Sequence, residues 1–142
     1  MALVLADVGA DEILKAYFNN SFPATTKDLT LKLFTNNITP ADTDTAATYT
    51  EASGGGYAAK TLTNGSWSFN PANDPSKVTY AEQTFTFTGP LTGNATVYGY
   101  YVVNANGVLI FAERFGTPFT PANNGDTIKV TLNFELSKGT PS

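Results

Sequence analysis

Cysteine and histidine are both absent from the 142-residue chain. Their absence excludes a disulfide framework, a Cys/His zinc site, haem held by either residue, a cysteine nucleophile and a Ser-His-Asp triad. Charge is scarce too. Only 14% of residues are Asp, Glu, Lys or Arg, against about 25% in ordinary soluble domains. Twelve acidic residues outnumber 8 basic ones, for a net charge of −4. The basic residues, from Lys15 to Lys138, are scattered and no two are adjacent. A stripe able to neutralise phosphates is therefore missing, and nucleic acid is not expected as a partner. Long apolar runs are missing as well. The longest, Val97 to Val103, holds Gly99 and three tyrosines, whereas a membrane-spanning helix needs about 20 apolar residues. Met1 to Ala6 is apolar, but no basic stretch precedes it and Asp7 follows at once. It does not read as a secretory signal. The sequons at Asn19, Asn37, Asn64 and Asn94 are accordingly read as products of an Asn/Thr-rich composition.

What is present suits β-structure. Thr and Asn take the solubilising role of the missing charges, and 13% of residues are aromatic. β-Branched and aromatic side chains pack well on a pleated surface. The length fits one domain, long enough to fold without metal or disulfide. Asp11 to Phe18 reads as a short helix, with Asp11 and Glu12 in its first turn and Ile13, Leu14, Tyr17 and Phe18 on one apolar face. Two readings of that face stay open: it caps the end of a sheet, or it docks, with Leu3 to Leu5, on a partner subunit.

From Asp28 the period is two. Leu29, Leu31 and Leu33 share one face of a strand. Residues 40–56 read as weakly structured, with a possible short strand at Thr48–Glu51 and then Gly54-Gly55-Gly56, a flexible loop or a close backbone approach. No Gly-Lys-Ser/Thr follows, so this is no phosphate loop. Tyr57 to Thr63 is the next strand. Asn64-Gly65 turns the chain, and Ser66 to Phe69 returns with Trp67 and Phe69 on one face. After a loop at 70–76 come strands at Val78–Tyr80 and Gln83–Thr88. Ala95–Val103 and Val108–Glu113 form a hairpin, apolar on both faces and so expected at the centre. Phe115 to Asp126 reads as a loop, and Thr127 to Leu136 as a cleanly alternating strand. The fold expected is all-β: an antiparallel β-sandwich or jelly-roll-like domain with one short N-terminal helix. The parts are an N-terminal arm at 1–9, a helix at 10–19, the sandwich at 28–136 and a flexible tail at 137–142.

Carboxylates are the only catalytic apparatus left to weigh. Asp42 and Asp44 lie two apart on one loop. Glycoside hydrolysis needs two acids facing each other across a cleft, about 5–9.5 Å apart, and two neighbours on one loop read instead as a solvated acidic turn. The pair lacks the glycine and closing Glu of a calcium loop. Glu113-Arg114 reads as a rim or interface ion pair. A small glycoside- or peptidoglycan-cleaving enzyme using Asp42, Asp44 or Glu113 is the reading these acids would support, and it is not the one favoured. No cofactor or metal is expected. Tyr57, Trp67, Tyr98, Tyr100 and Tyr101 could stack on sugars, fill the core or anchor a subunit interface. Period two puts Tyr100 and Tyr101 on opposite faces, so both cannot serve one platform.

Two stretches carry a resemblance. One is Gly56-Tyr57-Ala58-Ala59-Lys60-Thr61-Leu62 with Trp67 after it. The other is Tyr98-Gly99-Tyr100-Tyr101-Val102-Val103, continuing through Val108-Leu109-Ile110-Phe111-Ala112-Glu113-Arg114-Phe115. With the N-terminal helix and the final alternating strand, the chain resembles small β-rich structural proteins of tailed bacteriophages, of the capsid decoration (cement) type. That resemblance implies a non-enzymatic virion protein on the capsid surface. Its partners would be the major capsid protein and further copies of itself, as a trimer ahead of a dimer, with neither nucleic acid nor membrane involved. The residues expected at protein interfaces are Leu3, Val4, Leu5, Tyr17, Phe18, Tyr57, Trp67, Glu113 and Arg114. The rival expectation is a tail- or fibre-associated carbohydrate- or receptor-binding module, resting on Tyr57 and Trp67 beside the triple glycine.

Overall fold

The period-two segments become strands in a computed structural model, which describes residues 3–19, 26–70 and 76–136. In chain order the elements are β1 (Val4–Leu5), α1 (Asp7–Phe18), β2 (Leu29–Phe34), β3 (Lys60–Leu62), β4 (Ser68–Asn70), β5 (Ser76–Thr86), β6 (Val97–Val103), β7 (Leu109–Phe119) and β8 (Thr127–Leu136). The strands form two antiparallel sheets, one ordered β1-β7-β6-β2-β3 and the other β4-β5-β8. The chain is thus an all-β sandwich with a single N-terminal helix. The expected loop at 70–76 and tail at 137–142 lie largely or wholly outside the described residues.

The alternation of each strand assigns its faces. Leu31, Leu33, Tyr100, Val102 and Phe111 point from the larger sheet toward Phe85, Ile128, Val130 and Leu132 of the smaller one. Phe85 and Phe87 are fully enclosed, and each side chain of this kind contributes about 1.5–3 kcal/mol by leaving water. β6 stands in the middle of the larger sheet, as its two apolar faces predicted. Its outward residues, Tyr101 and Val103, join Phe34, Leu109 and Ala112 in a second core. The cover over that core is the segment 35–52, which overlaps the stretch 40–56 expected to be weakly structured. Tyr49 anchors it, stacking on Tyr101 at 5.0 Å and leaning on Phe34. The Asn36 side chain holds it at both Thr48 O (2.9 Å) and Thr50 N (2.8 Å). In place of the strand expected at Thr48–Glu51 there is a short 3₁₀ turn at Ala46–Thr48 and a lone bridge from Glu51 to Phe34. An irregular cover of this kind leaves no periodic signal.

Four further expectations change. Helix α1 begins at Asp7, a turn earlier than Asp11, because Gly9 is a packing residue and not a breaker: a Cβ there would overlap the Ile110 carbonyl oxygen of β7. β7 runs on to Phe119 through Gly116 and Pro118, which fall where the ladder with β6 is already interrupted between Val97 and Gly99. β4 does not return onto β3 after Asn64-Gly65. It crosses to the smaller sheet and pairs with β5. The two strands expected within 78–88 are one, β5, with a bulge between Tyr80 and Gln83. The triple glycine is a close backbone approach. A Cβ on Gly55, whose φ is +55°, would sit 2.6–2.7 Å from the carbonyl oxygens of Gly89 and Pro90.

Candidate functional site

Helix α1 is fixed at its start, and its last two turns are largely exposed. Ala6 N donates to Ile110 O (3.0 Å) and Asp7 N to Asp42 O (2.8 Å). One turn later Asn104 Nδ2 donates to Glu12 Oε2 at 3.0 Å. Asn104 is a buried polar side chain, and its Oδ1 also accepts from the backbone of Asn106 and Val108 in the β6–β7 turn. Beyond Glu12 the apolar face is mostly uncovered. Ile13 and Leu14 are exposed, and Tyr17 and Phe18 are 83% and 74% exposed. The last two meet edge to face at 5.1 Å.

Ile13 and Ala16 of this helix, with Leu29, Trp67, Phe111 and Phe134, line a partly open, largely apolar cleft of about 220 Å³, to which Glu12, Lys27, Asp28 and Asn104 also contribute. A dry cavity of roughly 150 Å³ already accommodates benzene, so this one has room for an aromatic ring. Its apolar character continues onto the surface. Phe69, Val78 and Phe134 share one register row across the smaller sheet. Phe69 at the β4 end is 66% exposed, and Leu136, two residues beyond Phe134, is 67% exposed. The end of the sandwich nearest the tip of α1 therefore presents an apolar cleft with an apolar rim.

The sequence-predicted interface residues separate. Tyr17, Phe18 and Trp67 lie at this end, with Trp67 half-buried edge-on against Tyr80 at 4.9 Å. Leu3, Val4 and Leu5 are no free arm. They run into β1, which extends the larger sheet at β7, with Leu3 and Leu5 packed on the inter-sheet core. Tyr57 is spent inside the molecule. Its hydroxyl accepts from Leu33 N (3.2 Å), replacing the ladder that β3 leaves off, and donates to Glu51 (3.1 Å), while its ring stacks on Phe85. Glu113 and Arg114 do not pair with each other, because neighbours on a strand point to opposite faces. Glu113 accepts from Tyr100 Oη at 2.7 Å. Arg114 lies over the Tyr98 ring and donates to Ile38 O (2.6 Å) and Asn37 Oδ1 (2.7 Å), tying down the cover segment.

The catalytic candidates do not converge. Asp44 accepts from Tyr49 Oη (2.8 Å) and Ala41 N (2.9 Å) within its own loop. Asp42 and Asp44 lie on the cover segment, whereas Glu113 bonds a tyrosine of the inter-sheet core. Burial, reinforced by neighbouring carboxylates, pushes the phenols of Tyr49, Tyr57 and Tyr100 far above their ordinary range, and Tyr101 up to about 12. The Tyr49, Tyr57 and Tyr100 phenols act as fixed hydrogen-bonding groups near neutral pH. Among the described residues no group of three or more Asp and Glu is placed to hold a metal ion, and no helix is long and apolar enough to cross a membrane. Of the five aromatics considered for a sugar platform, Tyr100 faces inward, Tyr98 and Tyr101 face the cover, and Tyr57 and Trp67 stand at separate edges. Sequence reasoning did not find the cleft. Ala16, Val78 and Phe134 carry only ordinary helix and strand periodicity, which does not show that they meet around one cleft.

No protein-family model, curated protein or solved structure matches this chain.

Proposed function

We propose that this chain is a non-enzymatic structural protein of a tailed-phage virion, a capsid decoration protein that adheres to the outside of the shell and braces it. One observation carries the adhesive part of this reading. The last two turns of α1 hold Tyr17 and Phe18 in water beside an apolar cleft, an arrangement that favours burial against another protein. The sequence resemblance supports the virion part. The internal engagement of Asp44, Glu113 and the buried tyrosines is consistent with their holding a rigid body together.

The test is composition and heat. Mass spectrometry of purified particles should find the protein at a fixed ratio to the major capsid protein. Shells stripped of it should melt at a lower temperature and recover when it is added back. Particles that lack it, or shells equally stable without it, refute the proposal. Glycan-array binding abolished by Trp67→Ala in a folded variant would favour the carbohydrate-binding reading instead.

A further inference from the structure

The smaller sheet ends on β8. Among the described residues β8 pairs with β5 alone. Ten residues long, it exceeds the usual five or six of a strand. In an antiparallel ladder every second residue turns its N–H and C=O away from its neighbour, so along β8 those groups face outward. Proteins ordinarily blunt such an edge with proline, a bulge, inward charges, a short strand, edge lysines or a covering loop. Within its own sequence β8 has only outward charges, Lys129 and Glu135, of opposite sign, and the bulge in this ladder inserts Ala81 and Glu82 on the β5 side.

The side chains of β8 indicate what the edge fits. Ile128, Val130, Leu132, Phe134 and Leu136 line the inner face, while Lys129, Thr131, Asn133 and Glu135 line the outer one. The outer face carries one cation near the start and one anion near the end, equally spaced about Leu132. A strand with that symmetry is complementary to its own reverse. Antiparallel pairing centred on Leu132 sets Lys129 against Glu135 of a second copy, Thr131 against its Asn133 and Ile128 against its Leu136. Moving the centre to Thr131 sets Lys129 against Asn133 instead. Moving it to Asn133 sets Glu135 against Thr131. A one-residue slip turns the apolar face outward. Leu132 alone, as centre, matches both charges with opposites and gives the exposed Leu136 an apolar neighbour.

Intrachain pairs extend the pattern. Lys77 approaches Glu135 at 3.9 Å, and Glu82 approaches Lys129 at 3.5 Å. Across the joined edge the outer face would read Lys77, Glu135, then Lys129 and Glu82 of the second copy, alternating in sign, and the same again on the other side of the twofold axis.

We infer that two copies of this chain associate through β8, antiparallel and centred on Leu132, to make one continuous six-stranded sheet. The inference goes beyond the function proposed above and uses a different surface from the α1 cleft.

Sedimentation velocity and light scattering on purified wild type, K129E, E135K and an equimolar mixture of the two variants test it. Wild type should be a dimer. Each variant alone sets like charges opposite one another twice and should dimerise about tenfold or more weakly. In the mixture a K129E chain, acidic at both positions, meets an E135K chain, basic at both, and the dimer should return. This recovery separates pairing across the edge from any effect of losing Glu82 or Lys77 contacts within one chain. Circular dichroism should show both variants folded, since exposed pairs of this kind contribute little to stability. A wild type that stays monomeric or forms trimers, a dimer indifferent to either substitution, or a mixture that fails to recover would overturn the inference. None of these outcomes bears on shell binding by Tyr17 and Phe18.

Discussion

Single atoms decide several features of this molecule. Gly9 is the clearest. Exchanging it for alanine should help a helix by about 0.5–1 kcal/mol in isolation. Here the added methyl would meet the Ile110 backbone, which has no rotamer to move aside. Overpacking of this kind costs about 1–3 kcal/mol, so Gly9→Ala should lower the urea midpoint despite its better propensity. Tyr57→Phe isolates another atom. It leaves the Leu33 N–H without the phenolic oxygen that accepts from it, and a stranded donor costs about 1–3 kcal/mol. Equilibrium denaturation should show that loss with no change in the slope. The buried phenols give a pH signature. Their folded-state pKa values lie above 10, raised by burial first. Unfolded phenols ionise near pH 10, so the stability these groups contribute is complete below that pH and falls as pH climbs through their folded values. Asp126 works in the other direction. Backbone N–H groups of Ala122 and Asn123 hold its pKa down, so its contribution is present above the ordinary Asp value and disappears as acid protonates it. Thermal melts across the pH range should fall off on the alkaline side from about pH 10.

At the scale of elements, helix α1 shows how far the sequence could be read. Its apolar face at Ile13, Leu14, Tyr17 and Phe18 was legible, but whether anything covers that face was not. That depends on long-range packing, in which Gly9 lies close against the Ile110 backbone of β7. A double variant Tyr17→Ser/Phe18→Ser should therefore hold its melting temperature, because exposed substitutions stay within about ±0.5 kcal/mol. Core side chains of equal size would not tolerate it. β2, β6 and β8 were legible because each alternates strictly or is apolar throughout. The crossing of β4 was not: Asn64-Gly65 specifies a turn but says nothing of which sheet receives the next strand. Nor was the cover over the second core, whose aromatic anchor, Tyr49, sits among small residues with no periodic pattern. The proposed interface residues differ in exposure for the same reason. Exposure depends on long-range packing, and local pattern could not distinguish Tyr57, which completes the hydrogen bonding of β2, from Tyr17, which touches little.

Taken whole, the molecule is a sandwich with both faces of its larger sheet buried. Several of its carboxylates are engaged by its own tyrosines, and much of its exposed large apolar surface lies on α1 and around the cleft beside it. Such a body is suited to adhering, and the account stands or falls on that. The most direct measurement is co-sedimentation of the purified protein with purified shells that lack it, comparing wild type with the Tyr17→Ser/Phe18→Ser variant at matched fold. The account predicts saturable binding by wild type and a loss of at least about tenfold in affinity for the variant, as expected when two central aromatic anchors are removed. Equal binding by both proteins, or no binding by the wild type, would contradict it.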